Sequence, residues 1–132
     1  MRGLDTNVLV RYLAADDSKQ LALAEHTIEE CRKTGEQLYL TMPALCELVW
    51  VLSRSYGQSK AAIIATLEMI LQMELFRIER EALVHRALAA YRDGKGDFAD
   101  YVIGEIGRHA GCRDTVTFDR ALKGATSFTL LA

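Results

Sequence analysis

The chain has little that could staple it covalently or through a soft metal. Its three cysteines, Cys31, Cys46 and Cys112, are odd in number, far apart and without a Cys-x-x-Cys spacing, so they read as reduced thiols and not as a disulfide framework or a zinc site. His26, His85 and His109 have no partner at ligand spacing, and no Ser-His-Asp arrangement is apparent. No apolar run approaches the ~20 residues that span a bilayer. The opening Met1-Arg2-Gly3-Leu4-Asp5 meets an acid where a signal peptide would carry its apolar core. A cytoplasmic protein with no membrane segment is the expectation. A positive excess is missing too: 16 Lys and Arg stand against 18 Asp and Glu, a formal charge of −2. Any binding of nucleic acid must therefore use local Arg and Lys clusters, a bound metal or a dimer that pools them.

With 132 residues, half of them hydrophobic and about a quarter charged, the chain suits a single globular domain over residues 1–132. There is one proline, Pro43, and glycines mark most of the breaks. Met1–Leu4 is a predicted strand, followed by a helix over Val8–Ala14 with Asp5 or Thr6 as cap. Asp16-Asp17-Ser18 opens a second helix to about Lys33, and Gly35 ends it. Gln37–Thr41 is a strand, and a helix with Pro43 in its first turn runs to Tyr56. Lys60–Gln72 is helical, Leu75–Ile78 a strand, and Arg80–Tyr91 and Asp97–His109 are helices. Thr115–Phe118 is a strand, Asp119–Lys123 a helical turn and Phe128–Leu131 a last strand. Strands alternating with helical connections predict an α/β architecture, a parallel sheet with helices on both faces.

Four acids carry the chemical argument. Glu47 is the one charged residue in Pro43-Ala44-Leu45-Cys46-Glu47-Leu48-Val49-Trp50-Val51-Leu52. A helix apolar on nearly every side is a buried helix, where an unpaired carboxylate costs several kcal/mol. A cation-lined cleft answers that cost; a narrow wet face, with Arg54 as partner, is the alternative. Asp5 and Asp119 each follow a strand and precede a helical turn, where ligands of open parallel sheets bind, although each alone also reads as a helix cap. Asp97 is a predicted N-cap and Asp100 lies three residues on, where an acid also favours the positive helix end. Carboxylates gathered at one rim repel and raise one another's pKa unless a cation offsets them. Oxygen ligands select Mg²⁺ or Mn²⁺, and such ions support phosphodiester hydrolysis.

The segments Asp5-Thr6-Asn7-Val8-Leu9, Glu47-Leu48-Val49-Trp50-Val51-Leu52, Asp97-Phe98-Ala99-Asp100-Tyr101-Val102-Ile103 and Thr117-Phe118-Asp119 together resemble the PIN domain, and more narrowly the VapC-type toxins of toxin–antitoxin pairs. The likeness covers essentially the whole chain, in order and spacing. It implies a PIN-like three-layer sandwich with a five-stranded parallel sheet flanked by helices, usually in a homodimer. It implies a Mg²⁺- or Mn²⁺-dependent endoribonuclease with Asp5, Glu47, Asp100 and Asp119 as catalytic and metal-binding residues. Thr6, Thr117 and Asn7 are implied as accessories, and Asp97 adds an acid that competes with Asp100. The implied partners are RNA and a small antitoxin lying across the active-site groove. Two other readings compete: an interaction module whose acidic groove binds a basic partner segment, and a phosphatase with Asp5 as nucleophile. The phosphatase needs a second acid two residues on, where the chain has Asn7. Arg11, Arg54, Arg108, Arg113, Arg120 and Lys123 are candidates for phosphate contact. Trp50 with Tyr56, and Tyr12 with Leu13, read as core or dimer packing.

Overall fold

The alternation of short strands and longer helices is what a computed structural model of the chain displays. It describes residues 1–15 and 18–132, so Asp16 and Asp17 at the expected start of the second helix, and the side chain of Ser18, lie outside the described residues. Two compact units, Met1–Glu79 and Arg80–Ala132, make up the chain.

The first unit comprises β1 (Arg2–Gly3), α1 (Thr6–Ala14), α2 (Ser18–Thr34), β2 (Leu38–Leu40), α3 (Met42–Arg54), α4 (Lys60–Gln72) and β3 (Phe76–Ile78). Its strands form a parallel sheet in the order β1-β2-β3, with Arg2 opposite Leu38 and Leu38 opposite Phe76. Leu38, Leu40, Phe76 and Ile78 are buried. Against them the helices bury Leu9 and Val10 of α1, Ile28 and Cys31 of α2, Leu45, Leu48 and Leu52 of α3, and Ile63, Leu67 and Ile70 of α4. The recurrence at three and four residues is what turns one helical face inward. Helix ends are satisfied locally. Thr41 Oγ1 accepts from Ala44 N–H at 3.2 Å, Glu79 Oε1 accepts from Met42 N–H at 2.8 Å, and Pro43 has no N–H to satisfy. Gly35, at φ +74°, supplies the left-handed turn that stops α2.

The second unit holds α5 (Glu81–Asp93), α6 (Phe98–His109), β4 (Thr115–Thr117), a one-turn 3-10 helix (Arg120–Leu122) and β5 (Phe128–Leu130). Strands β4 and β5 pair in parallel, Thr115 opposite Phe128. The packing is aromatic: Tyr91 meets Phe98 edge-on at 5.8 Å, and Tyr101 meets Phe128 at 6.5 Å and 89°. Helix α6 approaches β5 closely because position 104 has no side chain. A Cβ there would stand 2.6 Å from Phe128 Cε2.

The α/β class and all twelve expected elements are present among the described residues, with ends shifted by at most two residues. The expectation of one five-stranded sheet meets two smaller sheets among the described residues, a three-stranded and a two-stranded one, each parallel within itself. The strands are short, so their ladders involve two or three residues each. Trp50 is 60% exposed, which overturns its reading as a core residue; Tyr56, Tyr12 and Leu13 are half-buried. Among the described residues no helix is long and apolar enough to cross a membrane.

Replacing Gly104 by Ala sets two effects against each other. An alanine inside a helix gains up to ~1 kcal/mol over glycine, whereas forcing a methyl into a filled contact costs roughly 1–3 kcal/mol. Phe128 stands edge-on to Tyr101, so a ring pushed away from α6 must disturb that contact. Gly104→Ala should therefore lower the urea midpoint by the equivalent of about 1 kcal/mol with an unchanged m value. A midpoint equal to or above that of the wild type would contradict this packing.

Candidate active site

Each unit presents acids at the carboxyl end of a strand. In the first, Asp5 follows β1 and occupies the N-cap position of α1, its carbonyl accepting Val8 N–H at 3.1 Å. Its carboxylate makes no capping hydrogen bond and is exposed, so the simple capping explanation does not hold for its side chain. Thr6, next in the chain, is 5% exposed and donates from Oγ1 to Glu47 Oε1 at 3.4 Å. This contact ties the start of α1 to the second turn of α3. Asn7, with Asp5, Leu4, Arg11 and Leu23, lines a cavity of about 460 Å³. Arg11 is engaged within the protein, its Nε with Gln20 Oε1 and its Nη1 with Tyr56 Oη at 3.2 Å.

The burial argument for Glu47 does not survive. Pro43, Glu47, Trp50 and Arg54 are all exposed and recur at four, three and four residues, so α3 has a solvent face after all. The apolar run misleads because Trp50 lies on that face. No ion pair joins Glu47 to Arg54 among the described residues. Glu47 remains a candidate through its link to Thr6.

In the second unit the acids interact more tightly. Asp97 N–H donates to Asp100 Oδ2 at 2.9 Å, across the first turn of α6. Burial raises the pKa of Asp100 first; the hydrogen bond from Asp97 lowers it, and the negative charges of Asp97 and Asp119 raise it further. The net direction is upward. Asp119 follows β4, accepts Ala121 N–H on Oδ1 at 2.9 Å, and donates its own N–H to Thr117 Oγ1 at 3.0 Å. Here the capping role is real, and Oδ2 has no protein donor among the described residues. Among the described residues no three His, Cys, Asp or Glu side chains stand ready as a metal cage.

Two supporting residues were not singled out in the sequence. Glu79 holds the N-terminal amide of α3, the helix of Glu47. Tyr101 Oη accepts Gly96 N–H at 2.9 Å, and a Cβ at Gly96 would lie 3.3 Å from Asp100 Oδ2. That contact holds the glycine loop against the acid's own helix. The loop's Gly-x-Gly pattern, just before Asp97, is the signal that could have pointed to it. Cys46, beside Glu47, has its thiol pushed up to about 11 by burial and is not a nucleophile at neutral pH.

The PIN-domain family model matches residues 4–126. The chain belongs to the PIN-domain family. It is 30% identical over 123 residues to a protein named VapC ribonuclease from Aquifex aeolicus (strain VF5), covering 93% of this chain and 90% of that one. The similarity makes it a VapC-type member of the PIN family. No solved structure gives a significant match.

The raised Asp100 has a consequence for stability. As pH climbs from the ordinary Asp value to the raised one, the native state must release a proton that it holds more tightly than the unfolded chain does. Stability is therefore lost across that window and stays lost above it. Asp100→Asn keeps an oxygen for Asp97 N–H without the charge. In metal-free buffer the variant should melt higher than the wild type at pH 7, and the difference should vanish below the ordinary Asp range. A lower melting point at pH 7 would contradict the cost of burying this charge beside two others.

Proposed function

We propose that this PIN-domain protein is a Mg²⁺- or Mn²⁺-dependent endoribonuclease, the toxin of a toxin–antitoxin pair, with residues 1–132 working as one nuclease domain. The observation that carries the proposal is the half-buried Asp100 carboxylate, gripped by Asp97 N–H at 2.9 Å and raised first by burial and then by the charges of Asp97 and Asp119. A set of oxygen donors that repel one another suits a hard divalent cation, whose charge offsets the repulsion. Family membership over residues 4–126 and the similarity to a protein named VapC ribonuclease support RNA as the substrate.

In this reading Asp5, Glu47, Asp100 and Asp119 are the catalytic and metal-binding acids. They would hold a divalent ion, which would supply charge for the phosphate and would lower the pKa of a water used to attack phosphorus. The chain's own part is placement. Thr6 Oγ1 restrains Glu47 Oε1, and Thr117 Oγ1 together with Ala121 N–H fixes the turn that presents Asp119 Oδ2. Asp97 N–H holds Asp100 Oδ2 on the first turn of α6, so Asp100 is the ligand and Asp97 its support. Asn7, beside Asp5, is an accessory. A small antitoxin across the active-site groove, a homodimer and a cytoplasmic location belong to the same proposal. The exposed ring of Trp50 suits packing against a second subunit.

Purified wild-type protein should cleave single-stranded RNA internally when Mg²⁺ or Mn²⁺ is added and stop when the ion is chelated. Asp5→Ala and Asp119→Ala should each lose about 100-fold or more in rate, roughly 2.7 kcal/mol of transition-state stabilisation, while keeping the wild-type circular dichroism. Full activity in either folded variant would remove that residue from the site. No cleavage with any divalent ion would favour the interaction module.

A further inference from the structure

Within Arg80–Ala132 lies a cavity of about 620 Å³, and three of its lining residues are Lys95, Arg120 and Lys123. Two acids also line it. Glu105 is already paired with Arg86 at 3.0 Å, which leaves Asp93 against three cations. None of the three forms a side-chain hydrogen bond or ion pair among the described residues. Gly124 and Thr126 also line the cavity, and their backbone N–H groups have no protein acceptor among the described residues.

This concentration runs against the chain's overall acidity. Residues 80–132 carry eight Lys and Arg against seven Asp and Glu, whereas residues 1–79 carry eight against eleven. The cations also adjoin the candidate catalytic acids in sequence: Lys95 lies two residues before Asp97, and Arg120 follows Asp119. Unpaired Lys and Arg side chains with spare backbone N–H groups in one concave site are the donor set that recognises phosphate oxygens.

We propose that this cavity is a phosphate subsite, in which Lys95, Arg120 and Lys123 bind backbone phosphates of the RNA strand beside the bond to be cut. The proposal rests on the ribonuclease reading for its ligand but assigns residues outside the four acids. It also resolves how a chain of net charge −2 holds a polyanion: the cations are gathered, not numerous.

The test is anisotropy of a labelled single-stranded RNA with excess chelator, so that binding is read without cleavage, over a series of NaCl concentrations. The Lys95→Gln/Arg120→Gln/Lys123→Gln variant should bind at least 10-fold more weakly at low salt. Its log–log salt slope should be shallower by about 2, from roughly 0.7 per single-strand phosphate contact. A control, Lys19→Gln/Lys33→Gln/Arg77→Gln, removes three exposed cations elsewhere and should shift affinity less than twofold. Equal losses in both variants, or an unchanged slope in the first, would overturn the subsite. If the triple variant does not fold, Lys95→Gln and Lys123→Gln alone should each reduce the slope by about 0.7. Binding of uridine 5′-monophosphate or inorganic phosphate without binding of RNA would overturn a strand subsite, as would cavity-dependent capture of an acidic peptide instead of RNA. Metal-dependent cleavage by the wild type, measured in parallel, separates the failures. Cleavage with an unaffected triple variant sinks the subsite alone, and neither binding nor cleavage by the wild type sinks both readings.

Discussion

Carboxylates that approach one another while partly withdrawn from water raise the free energy of the state that holds them, and Asp100 is where this chain concentrates that cost. Its carboxyl is half-buried on the first turn of α6, and it feels the negative charges of Asp97 and Asp119. The surrounding backbone is arranged to keep it there. Asp97 N–H grips one of its oxygens, Tyr101 pins the preceding glycine loop, and Asp119 is held by Ala121 N–H and Thr117 Oγ1. An arrangement that works against folding and is nonetheless braced from several sides is a candidate for function.

The strand ends provide the braces. Parallel ladders leave each chain segment at its carboxyl end facing a helix start, and both Asp5 and Asp119 occupy that junction. Asp5 uses the junction without capping it, since its side chain makes no capping bond, whereas Asp119 spends one oxygen on Ala121. The same position in the fold thus yields one uncommitted carboxylate and one half-committed one. A sequence pattern cannot distinguish them, because both read as strand-Asp-helix.

Much of the architecture was legible, because hydrophobic recurrence and punctuation agree in this chain. Helix Lys60–Gln72 was expected and found to the residue, and Gly35 and Pro43 mark helix boundaries where their backbone constraints place them. The acids were legible as candidates, but the strongest argument for one of them was mistaken. Glu47 looked buried because composition along α3 is apolar, yet burial in a helix is a matter of angle. Trp50 occupies the wet side with Pro43, Glu47 and Arg54. The grouping of Lys95 with Arg120 and Lys123 was also hidden, since 25 residues separate the first from the second and only the turn after β4 brings them to one cavity. Glu79 was missed for the same reason: its role is to bond Met42 N–H, 37 residues earlier in the chain.

If the acids form a cation site, a cation must stabilise the fold, and it must do so through them. Thermal melting at pH 7 during a titration with Mg²⁺ or Mn²⁺ measures this without any substrate. At 100 times its Kd, a ligand that binds only the native state adds about 2.7 kcal/mol. The account predicts a melting temperature that climbs with either ion in the wild type, and a climb that is lost in Asp100→Asn and in Asp5→Asn. A wild-type melting curve indifferent to both ions, or an undiminished climb in both variants, would contradict it.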